Sequence, residues 1–251
     1  MWLYKIKLDI THSLCTSLTG STGRQTTMAQ DMTLLWGSGS PPCWRVMIML
    51  DEKELKGYNQ KLLSFEKGEH KSQEVLDINP RGQLPAFKIK DYILNESYAA
   101  CIFLEIQYKS QGTKLTPDCP MELALMYQRM FEGFSLLQKT GQVLYYDYNV
   151  PENERHESAR TRNKEALTTE VKLWEGYLAS SSGFLTGKTF SLSDVTVFPN
   201  IAYLFRSGLC EKRYPNLAKY YNGLKDRPSI KANWPPHWKE SCECQVLLKD
   251  I

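Results

Sequence analysis

Between Met32 and Ser110 the apolar pattern changes period several times, in an order few folds can accept. MTLLWG (32–37) reads as a buried strand. PPCWRVMIMLDEKEL (41–55) reads as a helix opened by proline, which suits the first helical position because an amide there has no intrahelical partner. NQKLLS (59–64), with Leu62 and Leu63, is a second strand. SQEVLDIN (72–79) is a short helix ending before Pro80, because the residue before a proline resists helical backbone angles. PAFKIK and YILN are short strands split by the turn Lys90-Asp91. ESYAACIFLEIQYKS then puts Ala99, Ile102, Phe103 and Ile106 on one helical face. The early alternation implies a parallel pair of strands and the late adjacent strands a hairpin. The order β-α-β-α-β-β-α is the thioredoxin-like one.

After QGTKLTP (111–117) no further strand is legible. MELALMYQRMFEGFSLLQK is helical, and so is 154–178, where Leu167, Val171, Trp174 and Leu178 share a face. Ser191-Leu192-Ser193-Asp194 is a capping box in outline, with Phe190 and Val195 as a hydrophobic staple. Pro199 should kink the helix that follows or mark a late start. RYPNLAKYYNGLK and the segment from PSI add two more helices. The chain therefore divides into an α/β domain over 30–110 and an all-α domain over 118–240, followed by a tail at 241–251. Residues 1–27 carry the Ser/Thr/Gly-rich tract THSLCTSLTGSTGRQTT and lack the continuous apolar stretch of about 7–15 residues that a secretory signal needs. They fit a transit peptide only loosely, and Met28 offers a second start. They read as a disordered extension outside the fold.

A net charge of +3 gives no electrostatic case for nucleic acid or a membrane surface as partner. No apolar run approaches the roughly 18 residues that cross a bilayer. Seven cysteines, odd in number and irregularly spaced, point to a reducing, cytoplasmic setting. The close pair Cys242/Cys244 lacks the second pair or histidine set that zinc sites use, so no metal is expected and 241–251 reads as a solvated tail.

Four segments carry candidate chemistry. Ser40-Pro41-Pro42-Cys43 occupies the first strand-to-helix turn, where thioredoxin-type domains keep their reactive group close to backbone amides and the positive helix end. A serine there does not ionise, but it can donate a hydrogen bond to a thiolate that arrives with a ligand. Cys43, one helical turn in, reads as a packed thiol. The plain alternative is that Ser40 only caps the helix. In INPRGQLPAF, Leu84-Pro85 precedes a strand, and a cis proline there exposes backbone groups that can pair with a bound peptide like an added strand. An ordinary strand-entry proline is the alternative. In NES, Ser97 at a helix start can hold a carboxylate and Glu96 an ammonium group. In EHKSQ, His70 and Lys71 suit a second carboxylate; simple capping at NES and a solvated loop at EHKSQ are the alternatives. Together the four call for a ligand with a thiol, a peptide backbone, an α-amino-acid end and a free carboxylate at the other end. Glutathione has all of these.

On the segments SPPCWRV, EHKSQ, NPRGQLP, LNES, SLSDVTVFP and KYYNGLKDRPSIKANWPPHW, the chain from about residue 30 to 240 resembles the cytosolic glutathione transferases. It looks closest to the serine-type classes (theta, phi, zeta) and above all to the rho class. The resemblance implies a thioredoxin-like N-terminal domain, a helical C-terminal domain and a homodimer. It implies Ser40 as the thiolate-stabilising serine, with Ser38 near enough to compete for that role. It further implies His70 and Lys71 at the glycine carboxylate, Gln83, Leu84 and cis-Pro85 at the cysteinyl backbone, and Glu96 and Ser97 at the γ-glutamyl end. Asp194 takes the acidic place in the family's capping box, a structural role. The double proline after Ser40 departs from the serine or cysteine that related classes often carry. Reduced glutathione is the expected co-substrate and a hydrophobic electrophile the second one. Xenobiotics and lipid-peroxidation products are the implied electrophiles. Tyr127, Phe131, Phe134, Tyr145 and Tyr146 are candidate linings for the electrophile pocket, with Trp234 and Trp238 closing over it; the helical spacing of Tyr127, Phe131 and Phe134 equally fits plain core. A glutathione-dependent isomerase of the zeta kind, needing a polar second pocket, and a non-catalytic binding protein are the competing readings. A thiol reductase is disfavoured because position 40 is not cysteine.

Overall fold

The computed structural model describes residues 29–240 and 246–251. The α/β part runs β1 (Met32–Trp36), α1 (Pro41–Glu52), β2 (Asn59–Leu62), α2 (Gln73–Leu76), β3 (Ala86–Ile89), β4 (Tyr92–Ile93) and α3 (Ser97–Gln107). The sheet order is β2-β1-β3-β4. β1 pairs parallel with β2 and antiparallel with β3, and β3 pairs antiparallel with β4, as the alternation of periods requires. Neighbouring residues of β1 face opposite sides, so Leu34 packs with Val46, Ile48, Phe87 and Leu104 while Leu35 packs with Val75, Leu84 and Ala86. Helices α1 and α3 thus cover one face and the short α2 the other.

The rest is helical: α4 (Pro120–Leu144), α5 (Tyr146–Asn149), α6 (Glu157–Ala179), α7 (Leu192–Arg206), α8 (Pro215–Leu224), α9 (Pro228–Ala232) and α10 (Pro236–Glu240). The stripe Leu167, Val171, Trp174 and Leu178 is buried, and the Trp174 indole donates to Glu170 Oε1 at 3.0 Å. Every residue of α7 is buried except Tyr203 and Arg206, so this helix is the centre of the all-α half. Its capping box forms: the Ser191 amide and hydroxyl both donate to Asp194 Oδ2 at 2.9 Å. The Leu185 amide and the Tyr220 hydroxyl donate to the other oxygen of Asp194. The late start at Pro199 does not occur: α7 runs through it from Leu192, anchored by this cap.

One buried ionic contact joins the halves and a second braces the α/β half internally. Glu52, at the end of α1, accepts from Arg227 Nε at 2.6 Å and the adjacent terminal nitrogen at 2.8 Å, and from the Ser229 hydroxyl. Lys53 Nζ meets Glu105 of α3 at 2.5 Å and the Thr113 carbonyl at 2.8 Å, with both side chains of the pair almost fully buried. The solvated-tail expectation fails at Leu248 and Ile251, while the other residues of 246–251 are exposed. Leu248 and Ile251 are buried, the Leu248 amide donates to the Ser207 carbonyl at 2.9 Å, and Arg213 donates to the Ile251 carbonyl. Their apolar character outweighs the polar segment before them. Cys242 and Cys244 lie outside the described residues.

Candidate active site

Helix α1 starts in an unusual way. Pro41 and Pro42 occupy its first two positions and carry no amide hydrogen, so two of the donors a helix N-terminus normally offers are missing. The next two are taken: the Cys43 amide donates to Ser40 Oγ at 3.4 Å and the Trp44 amide to the Ser40 carbonyl at 3.0 Å. The expectation that free amides at this turn would hold an anion is therefore corrected. What α1 offers a ligand is its dipole and the hydroxyl hydrogen of Ser40, whose oxygen is fixed as an acceptor by the cap. Capping and donating are thus complementary roles of one side chain. Cys43 is buried, accepts the Gly37 amide on its sulfur at 3.4 Å, and has its thiol pushed up to about 11 by burial, so it is not a thiolate.

Ser38 is engaged elsewhere. Its Oγ lies 2.6 Å from His237 Nδ1 on α10. Burial, then Arg206, hold the His237 imidazole below its usual value, so at neutral pH it is largely uncharged, and Nδ1 and the Ser38 hydroxyl share one hydrogen bond. Gly39 between the two serines has φ +77°, and the space where its Cβ would stand is filled by the edge of His237 and by Trp238.

Two cavities open from this loop. The first, about 500 Å³, is lined by Ser40 and Arg45 of the α1 region, His70 and Lys71, Gln83, Leu84 and Pro85, and Glu96, Ser97 and Tyr98 at the start of α3. The Leu84-Pro85 bond is cis. Asn79 Nδ2 donates to the Gln83 carbonyl at 2.8 Å and fixes the approach to that bond. His70 and Lys71 sit in a single 3-10 turn, Glu69–Lys71, and burial with the Lys71 charge lowers the His70 pKa. Glu96 is paired with Arg81 at 3.0 Å, on the surface. Ser97 is buried and its Oγ accepts from Arg45 at 3.1 Å. Eight residues singled out in four separate sequence segments thus wall one cavity.

The second cavity, about 760 Å³, adjoins the first through Ser40, Pro42, Phe65, His70 and Leu137. Its other walls include Gly141, Tyr145, Tyr148, Tyr203, Arg206, His237 and Trp238. The Tyr145 and Tyr203 hydroxyls are 2.6 Å apart. Of the aromatic candidates, Tyr145 and Trp238 line it, and Phe134 lines the smaller cavity. Tyr127 and Phe131 line neither, and Phe131 is on the surface. Trp234 packs edge-on against Trp44 and Trp238 instead, and Tyr146 packs under Arg160. The stripe of α4 that faces the cleft is Phe134, Leu137, Gly141 and on to Tyr145, displaced towards the C-terminus from the aromatic spacing that suggested Tyr127 and Phe131. Sequence reasoning missed Tyr203 and Arg206, although their three-residue spacing on an otherwise apolar helix is a signal that one face meets polar space.

Comparison with known proteins agrees with this geometry. The family description "Glutathione S-transferase, N-terminal domain" matches residues 30–105, and "Glutathione S-transferase, C-terminal domain" matches residues 135–234. Glutathione S-transferase A of Pleuronectes platessa is 68% identical over 225 residues, 89% of this chain and 100% of the relative. The crystal structure of a glutathione S-transferase from the Antarctic clam Laternula elliptica superposes with a TM-score of 0.78 at 39% identity, covering 88% of this chain and 99% of that one. A Phanerochaete chrysosporium glutathione transferase in complex with oxidized glutathione gives a TM-score of 0.72 at 28% identity, over 84% of this chain and 98% of that one. With both halves matched and a full-length relative at this identity, the chain belongs to the glutathione S-transferase family.

Proposed function

We propose that this transferase joins the thiolate of reduced glutathione to hydrophobic electrophiles, with Ser40 donating the hydrogen bond that stabilises the sulfur. One observation carries the reading: the 500 Å³ cavity collects His70, Lys71, Gln83, Leu84, Pro85, Glu96 and Ser97 beside Ser40, and Ser40 also walls the 760 Å³ cavity. A tripeptide in the first cavity would present its sulfur at the border of the second. His70 and Lys71 take the glycine carboxylate. The backbone at Gln83 and Leu84 takes the cysteinyl unit, and Ser97 with the start of α3 takes the γ-glutamyl carboxylate. Glu96, already bound to Arg81, would meet the ammonium group as part of a pair. The thiol proton passes to solvent, and the thiolate attacks an electrophilic carbon held in the second cavity, either expelling a leaving group into solvent or, in an addition, giving a conjugate anion that takes a proton from water. The protein contributes proximity and a fixed donor at the developing charge. Ser38 is disfavoured as that donor because its hydroxyl is engaged with His237 and lines only the larger cavity.

Ser40 at the strand-to-helix turn and the C-terminal run KYYNGLKDRPSIKANWPPHW support the serine-type, rho-class assignment, and the apolar Leu137 and the aromatic ring faces of the second cavity support a hydrophobic electrophile, xenobiotic or lipid-derived. A cytoplasmic homodimer completes the proposal. The four described cysteines Cys43, Cys101, Cys119 and Cys210 are free, as a reducing compartment would keep them, and no described helix is long and apolar enough to cross a membrane.

The test is conjugation of glutathione to a generic aryl halide by the wild type, Ser40→Ala and Ser38→Ala. Ser40→Ala should lose roughly 10²–10³-fold in kcat while glutathione still binds, the loss expected for one donor at a developing anion. Ser38→Ala should keep most of its turnover. A wild type that binds glutathione and turns over no electrophile would favour the isomerase or the binding protein.

A further inference from the structure

Ser38 and His237 form a pair that conjugation does not use. Ser38 Oγ lies 2.6 Å from His237 Nδ1, across 199 residues of chain. Both side chains wall the 760 Å³ cavity, and neither borders the smaller one. The charged groups that act on His237 are Arg206 of α7 and Glu240 on α10 itself. Burial and Arg206 outweigh Glu240, so the ring is largely uncharged at neutral pH, the form a base must have. In the tautomer with its hydrogen on Nε2, Nδ1 accepts from Ser38, which is how a nucleophile meets its general base. Gly39, left-handed at φ +77°, turns the loop from Ser38 to Ser40, and its amide donates to no group among the described residues. The amide directly after a nucleophile is the one from which hydrolase sites on other folds stabilise an oxyanion. One residue further on, the Ser40 hydroxyl stands where the sulfur of glutathione is expected.

We propose that the chain also hydrolyses glutathione thioesters, with Ser38 as nucleophile and His237 as general base, acting on an S-acylglutathione whose hydrophobic acyl group lies in the larger cavity. This rests on the glutathione reading above. The tripeptide sits in the smaller cavity as it does for conjugation, and its sulfur carries the acyl group across the border beside Ser40. The Ser38 oxygen attacks the thioester carbonyl carbon while its hydrogen passes to His237 Nδ1. The carbon–sulfur bond breaks with its electron pair on sulfur, where the Ser40 hydroxyl is already placed to stabilise a thiolate, and the sulfur then takes the proton from His237. His237 is exposed, so water reaches it. A water gives its proton to Nδ1 and adds to the Ser38 acyl ester. The bond to Ser38 breaks, the serine oxygen recovers a hydrogen from His237, and the free carboxylic acid leaves. The contact that withdraws Ser38 from thiolate stabilisation is the one that fits it for this step.

The experiment follows thiol release from S-benzoylglutathione by the full-length protein, together with calorimetric binding of glutathione. The wild type should release thiol well above the buffer rate, and a rapid acid quench should show one benzoyl group on the peptide that holds Ser38. Ser38→Ala and His237→Gln should each lose roughly 100-fold or more in this reaction. Ser38→Cys should still take up the acyl group. The wild-type rate should fall as pH drops through the folded His237 value, and His237→Gln should lack that limb. Acylation is read on the wild type itself, so the test stands whether or not a variant folds. Thiol release that persists in Ser38→Ala, or a benzoyl group on a residue other than Ser38 alone, overturns the proposal. If the wild type binds glutathione but leaves the thioester at the buffer rate, the proposal falls and the glutathione reading stands. If it binds neither, the glutathione reading itself fails and takes this one with it.

Discussion

Replacing Gly39 by alanine tests whether α10 is seated on the loop that carries Ser40. The backbone there is left-handed, at φ +77°, which costs a residue with a Cβ roughly 1–2 kcal/mol. The new methyl would stand 2.6 Å from His237 Cε1, 3.1 Å from its Nε2 and 3.3 Å from Trp238 Nε1. Carbon atoms rest at about 3.5–4.0 Å, so the imidazole must retreat by roughly 1 Å, and its bond to Ser38 goes with it, about 1 kcal/mol more. Trp238 cannot yield freely, since Trp44, Trp234 and Tyr203 pack around it. The total is roughly 2–3 kcal/mol, a fall in Tm of roughly 5–10 °C for a chain of this size. Gly68→Ala is the control: it has φ +68° and nothing within 4 Å of the added methyl, so it carries the backbone cost alone. Helix α10 walls only the larger cavity, so Gly39→Ala should also raise KM for the electrophile and leave KM for glutathione nearly unchanged. Equal melting of the two variants, or a change in the glutathione KM alone, would refute the reasoning.

Glu52→Gln should destabilise the protein by about 2–4 kcal/mol in urea titration, somewhat less than a fully buried pair because Arg227 keeps 27% exposure. Burial raises the Glu52 pKa, but the hydrogen bonds from Arg227 and Ser229 outweigh it and hold the carboxyl below its ordinary value. The stability it brings is therefore complete above the unfolded carboxylate range and lost as pH falls through the folded value, so the variant should show a flatter acid limb. His237 has a depressed pKa, so its contribution is present above about pH 6.5 and fades as pH falls through the folded value. His237→Gln should remove that fraction of the acid sensitivity, and a melting curve against pH that is identical to wild type would count against the Ser38 contact.

The order of elements, the parallel pair and eight residues of the smaller cavity were legible because each rests on local chemistry: proline at a helix start, a turn before Pro85, small polar residues at helix mouths. The larger cavity was not. Its walls are set by which stripe of α4 meets α7 and by where α10 folds back, and an aromatic spacing of three and four residues reports only that a face exists, not which neighbour it meets. Tyr127 and Phe131 follow that spacing and point elsewhere. The two prolines show the other limit. As helix signals they were read correctly, but their removal of the amides at the anion site became visible only when the partners of Cys43 and Trp44 were known. Arg45 gave no signal at all, because a basic residue inside an amphipathic helix reads as solvated until its surroundings are seen.

The helix that begins at Ser40 is fastened along its length. Arg45 reaches α7 and α3, Glu52 reaches Arg227 and Ser229, and Lys53, just past its end, reaches Glu105. A hinge that swung the α/β half away from the helical half would strip Arg45 of Thr196 and Asn200 and Glu52 of Arg227 and Ser229 at once, at several kcal/mol for each charge, while Lys53–Glu105 holds α1 to α3 within the α/β half. Large-scale breathing between the halves is therefore too rare to admit substrates. Traffic through the cleft falls to its light parts: the five-residue α10 with Trp238, the turn at His70 and the Tyr145–Tyr203 contact, whose displacement breaks few bonds. Hydrogen exchange should register this as early opening at residues 236–240 and 69–71 against late opening along α1.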